Sequence, residues 1–257
     1  MDPLHILIAV IGGLFAGMLN TLAGNGSAIT LSILTEVLGL PGNIANGTNR
    51  IGVLAQGVTG SYTFYKHGKL NIGRSKWIIC WVTLGAIIGV FVAVWVSSEQ
   101  FKSIFRFLML AMLVVILVKP KRWLQESNPD KKLNPFIAIP LFLALGFYGG
   151  FIQMGMGVFF LAIMVLVARY SIIEANAVKI FVVMLYTVFV IAVFQWKGLI
   201  DWEIGLVLAV GQATGGWLAA TFASRFPGAD VWAYRLLVVV VVLALLKMFG
   251  VFGYLFN

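Results

Sequence analysis

Two short glycine-rich stretches contain residues that are suited to binding a ligand. Residues Ala23–Ser27 read Ala-Gly-Asn-Gly-Ser and residues Gln153–Gly157 read Gln-Met-Gly-Met-Gly, and each stretch is followed by a short apolar segment, 27 to 38 and 157 to 168. A helix that begins after such a break presents unpaired backbone N–H groups and a partial positive charge. That end of a helix binds an anion without any charged side chain. The pair of breaks therefore predicts a site for a small anion.

Polar and basic side chains accompany both breaks. Arg50 and Lys179 lie less than about two turns into the helices predicted to follow, where a charge usually faces a protein interior or a water-filled cavity. Each is a candidate to place positive charge on an oxyanion, and the alternatives are a contact with lipid headgroups or ion pairs with Glu36 and Glu174. The residues predicted to bind the anion are Asn20, Gly24, Asn25, Gly26, Ser27, Asn46, Asn49, Arg50, Gln153, Gly155, Gly157, Asn176 and Lys179.

The composition requires a lipid environment for these elements. Of the 257 residues, 61% are hydrophobic and 11% are charged, and the mean hydropathy is +1.01. Soluble domains carry about 25% charged residues, so this chain has too little polar surface to cover a water-soluble fold. Long runs that are apolar on both faces favour helices over a β-barrel, whose strands would alternate. The apolar stretches are 4 to 22, 27 to 38, 44 to 65, 77 to 97, 101 to 118, 135 to 153, 157 to 168, 172 to 196, 204 to 224 and 231 to 254.

The ten segments form two similar sets of five. With an offset of about 130 residues, Asn46 falls on Asn176 and Phe64 falls on Phe194, and these polar and aromatic matches exceed what glycine-rich sequences share by coincidence. Further matches pair Gly13 with Gly146, Gly17 with Gly150, Asn20 with Gln153, Gly24 with Gly155, Gly26 with Gly157, Gly68 with Gly198, Gly85 with Gly215 and Arg106 with Arg235. Five is an odd number, so the second set enters the membrane from the opposite side. We expect an all-α polytopic membrane protein made of two inverted-topology repeats, each with a broken or re-entrant helix pair.

The charges agree with this topology. The basic residues in loops on one predicted side are Lys66, Lys69, Arg74, Lys76, Lys119, Lys121, Arg122, Lys131, Lys132, Arg169 and Arg225, against Lys102 and Lys197 on the other. By the positive-inside rule the first side is cytoplasmic, which places both termini outside. The expected organisation is a first repeat over 1–118, a basic cytoplasmic linker over 119–134 and a second repeat over 135–257, all in one membrane domain.

The short second segments locate the predicted site. Each is too short to cross a hydrocarbon core about 30 Å thick. Interrupted short segments at matching positions of two inverted halves indicate the binding site of a secondary transporter. The alternative for the glycines is close helix packing alone, which we favour for the small-xxx-small pairs Gly13/Gly17, Gly85/Gly89, Gly146/Gly150 and Gly211/Gly215.

Other classes of protein fit less well. The net charge of +9 is spread over loops, which disfavours nucleic acid as a partner. His5 and His67 stand at segment ends and Cys80 is the single cysteine, so neither a catalytic set nor a metal cluster is visible and we expect no cofactor. A Walker motif is absent, which disfavours ATP hydrolysis. A channel, or coupling to a proton through Glu36 or Glu174, stays open.

The residues also carry a family resemblance. The run Ala23–Ser27, an apolar helix, then Gly39–Pro41 and Ala45–Asn49, with a degenerate copy at Gly155–Gly157, resembles the TauE/SafE sulfite exporter family, also called the toluene sulfonate uptake permeases. The resemblance covers nearly the whole chain. It implies two inverted halves in the cytoplasmic membrane and transport of a sulfur oxyanion such as sulfite or an organosulfonate. The alternative substrate is a non-sulfur organic anion.

Overall fold

The computed structural model describes residues 2–95, 123–124, 128, 134–151 and 153–248. The predicted fifth segment, 101 to 118, and most of the predicted linker, 119 to 134, lie outside the described residues. Every regular element in the described part is helical. The helices are α1 (Pro3–Leu22), α2 (Ser27–Ser32), α3 (Gly42–Lys66), α4 (Ile72–Ala93), α5 (Pro135–Phe151), α6 (Met156–Ala162), α7 (Ile172–Trp196), α8 (Trp202–Arg225) and α9 (Ala229–Met248).

Four of these helices are long and apolar enough to cross a membrane, namely α1, α4, α7 and α8. They hold 20, 22, 25 and 24 residues, and a rise of about 1.5 Å per residue gives each roughly 30 Å or more. Their bounds agree with the predicted segments to within a few residues. The chain is thus a multi-pass helical protein with the lengths and apolar surfaces of a membrane protein.

The second segment of each set is short, as predicted. Helix α2 has six residues and continues into a π-helical turn over Ile33–Val37, and α6 has seven residues and continues into a π-helical turn over Ile163–Val167. The combined helices are about 18 Å long or less, well below the thickness of a hydrocarbon core. The two π-helical turns begin 130 residues apart, and such turns are frequent at functional sites.

Glycines allow two pairs of helices to approach closely. Helix α1 packs on α8, and a Cβ added at Gly13 would lie 2.9 Å from the carbonyl oxygen of Leu208, while Gly211 and Gly215 press on the α1 backbone. Helix α4 packs on α5 in the same way, with Gly85 against the backbone of Leu143. The packing role that the sequence predicts for these small residues is therefore confirmed. The remaining glycines in these contacts are Gly17, Gly89, Gly146 and Gly150.

Helices α3 and α7 end in the same local structure. Gly68 and Gly198 have φ of +67° and +65°, values that glycine adopts at little cost. The amide of Lys69 donates to the Phe64 carbonyl, and the amide of Leu199 donates to the Phe194 carbonyl, both at 2.9 Å. These are the hydrogen bonds of a glycine-terminated helix end. The same C-terminus thus occurs twice, 130 residues apart.

Helix α3 is the most polar of the long helices and lies inside the protein. It packs on both α7 and α8, and its buried positions include Asn49, Arg50 and Gln56. An isolated helix with these residues would be costly in lipid. Neighbouring helices therefore cover this polar face, which brings the side chains to the two breaks.

Candidate functional site

The two glycine-rich breaks lie against each other. Gly24 is the second residue of the first break and has φ of +84°, and a Cβ added there would lie 2.6 Å from Cα of Gly157 and 2.8 Å from the amide nitrogen of Val158. A Cβ added at Gly157 would likewise lie 2.6 Å from the carbonyl oxygen of Gly24. Side chains at these two positions would separate the backbones. The start of α6 therefore touches the break before α2 inside the protein.

The second break contains two residues in the left-handed region. Gly155 has φ of +78° and Gln153 has φ of +67°, a conformation that is uncommon for a residue with a side chain. The carbonyl of Gln153 accepts from the Met156 amide at 2.9 Å, which starts the next helix. In the first break, Gly26 fits beside Asn20 of α1, where a Cβ would lie 2.8 Å from its amide nitrogen.

The end of α1 is capped by α7. The ammonium of Lys179 donates to the carbonyls of Asn20 at 2.7 Å and Thr21 at 3.0 Å, and to Oδ1 of Asn176 at 2.6 Å. Nδ2 of Asn176 donates to the Leu22 carbonyl at 3.0 Å. Carbonyls in the last turn of a helix lack partners within the helix, and a cation is favourable at this end. Lys179 uses all three of its donors there, so the structure places it as a cap on the first half.

The end of α5 is capped by α3. Arg50 donates from NH1 to the Gly149 carbonyl at 3.1 Å and from NH2 to the Gly150 carbonyl at 3.4 Å, and NH2 also reaches Oδ1 of Asn46 at 3.3 Å. Arg50 is fully buried, and Lys179 is 1% exposed. The expectation that both cations face the interior is confirmed. Each basic residue thus caps the end of the first helix in the other set of segments: Arg50 caps α5 and Lys179 caps α1.

The structure does not support the alternative contacts for these two cations, which were lipid headgroups or acidic side chains. The hydrogen bonds of Arg50 and Lys179 run to carbonyl groups inside the protein. Glu174 forms a capping box with Ser171 at the start of α7 and an ion pair with Arg74 at 3.5 Å. A pairing of Lys179 with Glu174 is therefore wrong.

Several buried polar atoms beside the breaks have no hydrogen-bond partner among the described residues. They include Oδ1 of Asn25, Oγ of Ser27, Nδ2 of Asn49 and both amide atoms of Gln153. Buried polar groups are normally paired, and an unpaired one has a free-energy cost of about 1–3 kcal/mol. Such a concentration at one place is a mark of a ligand site. Asn20, by contrast, donates to Oε1 of Gln56 at 3.1 Å.

Three polar residues near the breaks are not among those that the sequence predicts to bind the anion. Gln56 and Gln212 are almost fully buried, and Nε2 of Gln212 donates to Oδ1 of Asn49 at 3.2 Å. Tyr186 is fully buried in α7. The available signal was a polar residue in an otherwise apolar span, which marks functional positions in membrane helices.

A cavity of about 520 Å³ lies elsewhere. It is lined by the loops around Lys69, Ser171 and Arg225 at the predicted cytoplasmic end. The residues of the two breaks do not line it. The contact between Gly24 and Gly157 is therefore not part of that cavity.

An assembly of apolar helices with two buried, touching breaks and buried cations is the architecture of a polytopic membrane protein with an interior polar site. Comparison with known proteins defines the class further. The model of the sulfite exporter TauE/SafE family matches residues 9–248, so the chain belongs to this family of membrane transporters. The family resemblance found in the sequence is therefore confirmed.

Relatives named as transporters cover most of the chain. The probable membrane transporter protein ORF9 of Sinorhizobium sp is 26% identical over 243 residues, covering 94% of this chain and 92% of the relative. A probable membrane transporter protein of Haemophilus influenzae is 28% identical over 222 residues, covering 86% and 85%. The probable membrane transporter protein YfcA of Escherichia coli is 23% identical over 217 residues, covering 84% and 79%. No solved structure gives a significant match.

Proposed function

We propose that this protein is a secondary transporter that moves a small anion across the cytoplasmic membrane by alternating access. The observation that supports this most is the backbone contact between Gly24 and Gly157, surrounded by buried polar atoms without partners. Irregular backbone at membrane depth is tolerated where it is buried in protein or lines a cavity. Paired broken segments of this kind hold the substrate in transporters built from repeats.

The charge of the site favours an anion. Arg50 and Lys179 are buried beside the breaks, and their hydrogen bonds run to neutral carbonyl groups. Glu174, which lies near Lys179 in sequence, pairs with Arg74 instead. A buried cation without a carboxylate partner is costly. An anion between the breaks would balance this charge, and the positive ends of the following helices act in the same direction.

Two inverted repeats account for the reciprocal contacts. Helix α1 of the first set packs on α8 of the second, and α5 of the second set packs on α4 of the first. The caps cross in the same manner, with Arg50 on α5 and Lys179 on α1. Rocking of one set against the other would break one group of contacts while the other group holds. We propose that the basic linker 119–134 is cytoplasmic and that both termini are outside.

The substrate we propose is a sulfur oxyanion such as sulfite or an organosulfonate. The family is named for sulfite export, and the unpaired donors at the breaks, namely Ser27 Oγ, Asn49 Nδ2 and Gln153 Nε2, can each donate to an oxygen acceptor. A non-sulfur organic anion is the alternative, because these atoms select for charge and oxygen rather than for sulfur.

The test is flux into proteoliposomes that contain the purified protein. We expect uptake of ³⁵S-labelled sulfite or a labelled sulfonate to saturate and to be accelerated by unlabelled substrate on the opposite side, as in a carrier. Asn20→Ala, Ser27→Val and Arg50→Ala should each lower the flux about tenfold or more, the cost of a lost hydrogen bond to a charged group. Asn43→Ala is the matched control, since Asn43 is exposed and bonds to its neighbour Ile44.

Three results would count against this proposal. Flux that does not saturate would indicate a channel. Absence of flux for sulfite, sulfonates and carboxylates in correctly inserted protein would remove anion transport altogether. Wild-type flux in all three site variants would place the anion elsewhere.

A further inference from the structure

The contact between the breaks has one side near Lys179 and another near Arg50. The two sides differ in whether their hydrogen-bond donors have partners. Gln56 of α3 and Tyr186 of α7 stand 130 residues apart, the offset that also relates Asn46 to Asn176 and both helix ends. Both side chains are almost fully buried. They therefore occupy matching places near the breaks, one beside Lys179 and the other beside Arg50.

On the Lys179 side the side chains of Asn20, Gln56 and Lys179 all have hydrogen-bond partners. Gln56 accepts from Asn20 at 3.1 Å and donates from Nε2 to Oγ1 of Thr21 at 3.0 Å. The ammonium of Lys179 makes its three hydrogen bonds to Asn20, Thr21 and Asn176. These residues bond to one another, and the hydroxyl of Ser27 in the first break has no partner.

On the Arg50 side two donors remain. Nε of Arg50 and the hydroxyl of Tyr186 have no hydrogen-bond partner in the part of the chain that the structure describes. Both residues are completely buried. They flank one residue, since NH1 of Arg50 donates to the Gly149 carbonyl at 3.1 Å, and the Tyr186 oxygen lies 2.9 Å from where a Cβ of Gly149 would stand.

These two donors adjoin the second break. The same Cβ position on Gly149 is 3.1 Å from Cγ of Met156, the first residue of α6. Gln153, three residues before Met156, is 5% exposed and has both amide atoms unpartnered. The guanidinium, the phenol and this amide thus stand around the start of the helix that touches Gly24.

We propose that the anion binds on the Arg50 side of the contact, with Arg50 Nε–H and Tyr186 O–H each donating to an oxygen of an oxyanion. This inference rests on the proposed function and adds Tyr186 as a binding residue. Burial of the Arg50 Nε–H and Tyr186 O–H groups is unfavourable unless each donates to an acceptor. A ligand with negative charge and at least two acceptor oxygens satisfies both donors, and Gln153 can bond to a further polar atom of it.

The test compares Tyr186→Phe with wild type by calorimetric titration of sulfite and of methanesulfonate into the full-length protein. We expect the phenylalanine variant to bind at least one of these anions about tenfold or more weakly, the effect of losing a hydrogen bond to a charged group. Its melting temperature without anion should be unchanged or higher, because the variant removes a buried hydroxyl without a partner. A merely structural tyrosine would give the opposite shift. Tyr62→Phe is the control, since Tyr62 is exposed on α3.

The outcomes separate the inference from the function. If Tyr186→Phe binds every probe that wild type binds with unchanged affinity, the inference is overturned and the proposed function stands. If wild type binds neither probe, the inference and the proposed sulfur oxyanion substrate are both overturned. Gly149→Ala provides a second variant, because its methyl group would displace the Tyr186 hydroxyl; wild-type affinity in that variant would also overturn the inference.

Discussion

A Gly157→Val variant is expected to transport about tenfold less anion than wild type while still inserting into the membrane. The isopropyl group would occupy the space of Gly24, whose carbonyl oxygen lies 2.6 Å from the Cβ position. Overpacking of this kind costs about 1–3 kcal/mol, and about 1.4 kcal/mol corresponds to a factor of ten in an equilibrium constant. Because both contacting groups are backbone, neither can rotate away. The measurement is initial flux in proteoliposomes, normalised to inserted protein.

The matched control is Gly73→Val. Gly73 lies in the first turn of α4, and the one atom near its Cβ position is Oδ1 of Asn71 at 3.5 Å. This variant measures the effect on flux of a valine in a helix that does not take part in the contact between the breaks. Equal flux in the Gly157 and Gly73 variants would show that this contact does not matter for transport.

A Lys179→Met variant is expected to be strongly destabilised. Methionine keeps the length and apolar stem of lysine but leaves the carbonyls of Asn20 and Thr21 and Oδ1 of Asn176 without this donor. A buried acceptor without a partner costs about 1–3 kcal/mol. With some relaxation we expect a loss of about 3 kcal/mol, which lowers the melting temperature by about 10 °C in a chain of this size. Thermal unfolding of the purified protein in nanodiscs measures this shift.

The control for that variant is Lys76→Met on α4, since Lys76 is exposed. Its melting temperature should stay within about 2 °C of wild type, as surface substitutions usually have small effects. A Lys179→Met protein as stable as this control would mean that the cap on α1 contributes nothing, and the crossed capping would lose its role in joining the two halves.

The positions of the breaks could be predicted because local rules determine them. Glycines that permit positive φ at Gly24 and Gly155, followed by apolar runs too short to span a bilayer, are visible in any reading of the chain. The same is true of the glycine spacings on α1, α4, α5 and α8, whose contacts the structure contains.

The partners of the buried cations could not be predicted. Depth in an apolar segment indicates that Arg50 and Lys179 face the interior, but it does not say which group they meet there. The acceptors are backbone carbonyls about 100 and 160 residues away in sequence, and backbone groups leave no mark on composition. Tyr186 was missed for a related reason, since a tyrosine in a membrane helix is more often part of an interfacial aromatic belt.

An anion that lies between the two breaks can be located by crystallography. Crystals grown with selenite, which has the charge and shape of sulfite and scatters anomalously, test this directly. We expect an anomalous peak beside Gly157, at a position where the selenite oxygens lie within hydrogen-bonding distance of Arg50 Nε and the Tyr186 hydroxyl. A peak confined to the cavity lined by Lys69 and Arg225, with none at the breaks, would contradict it.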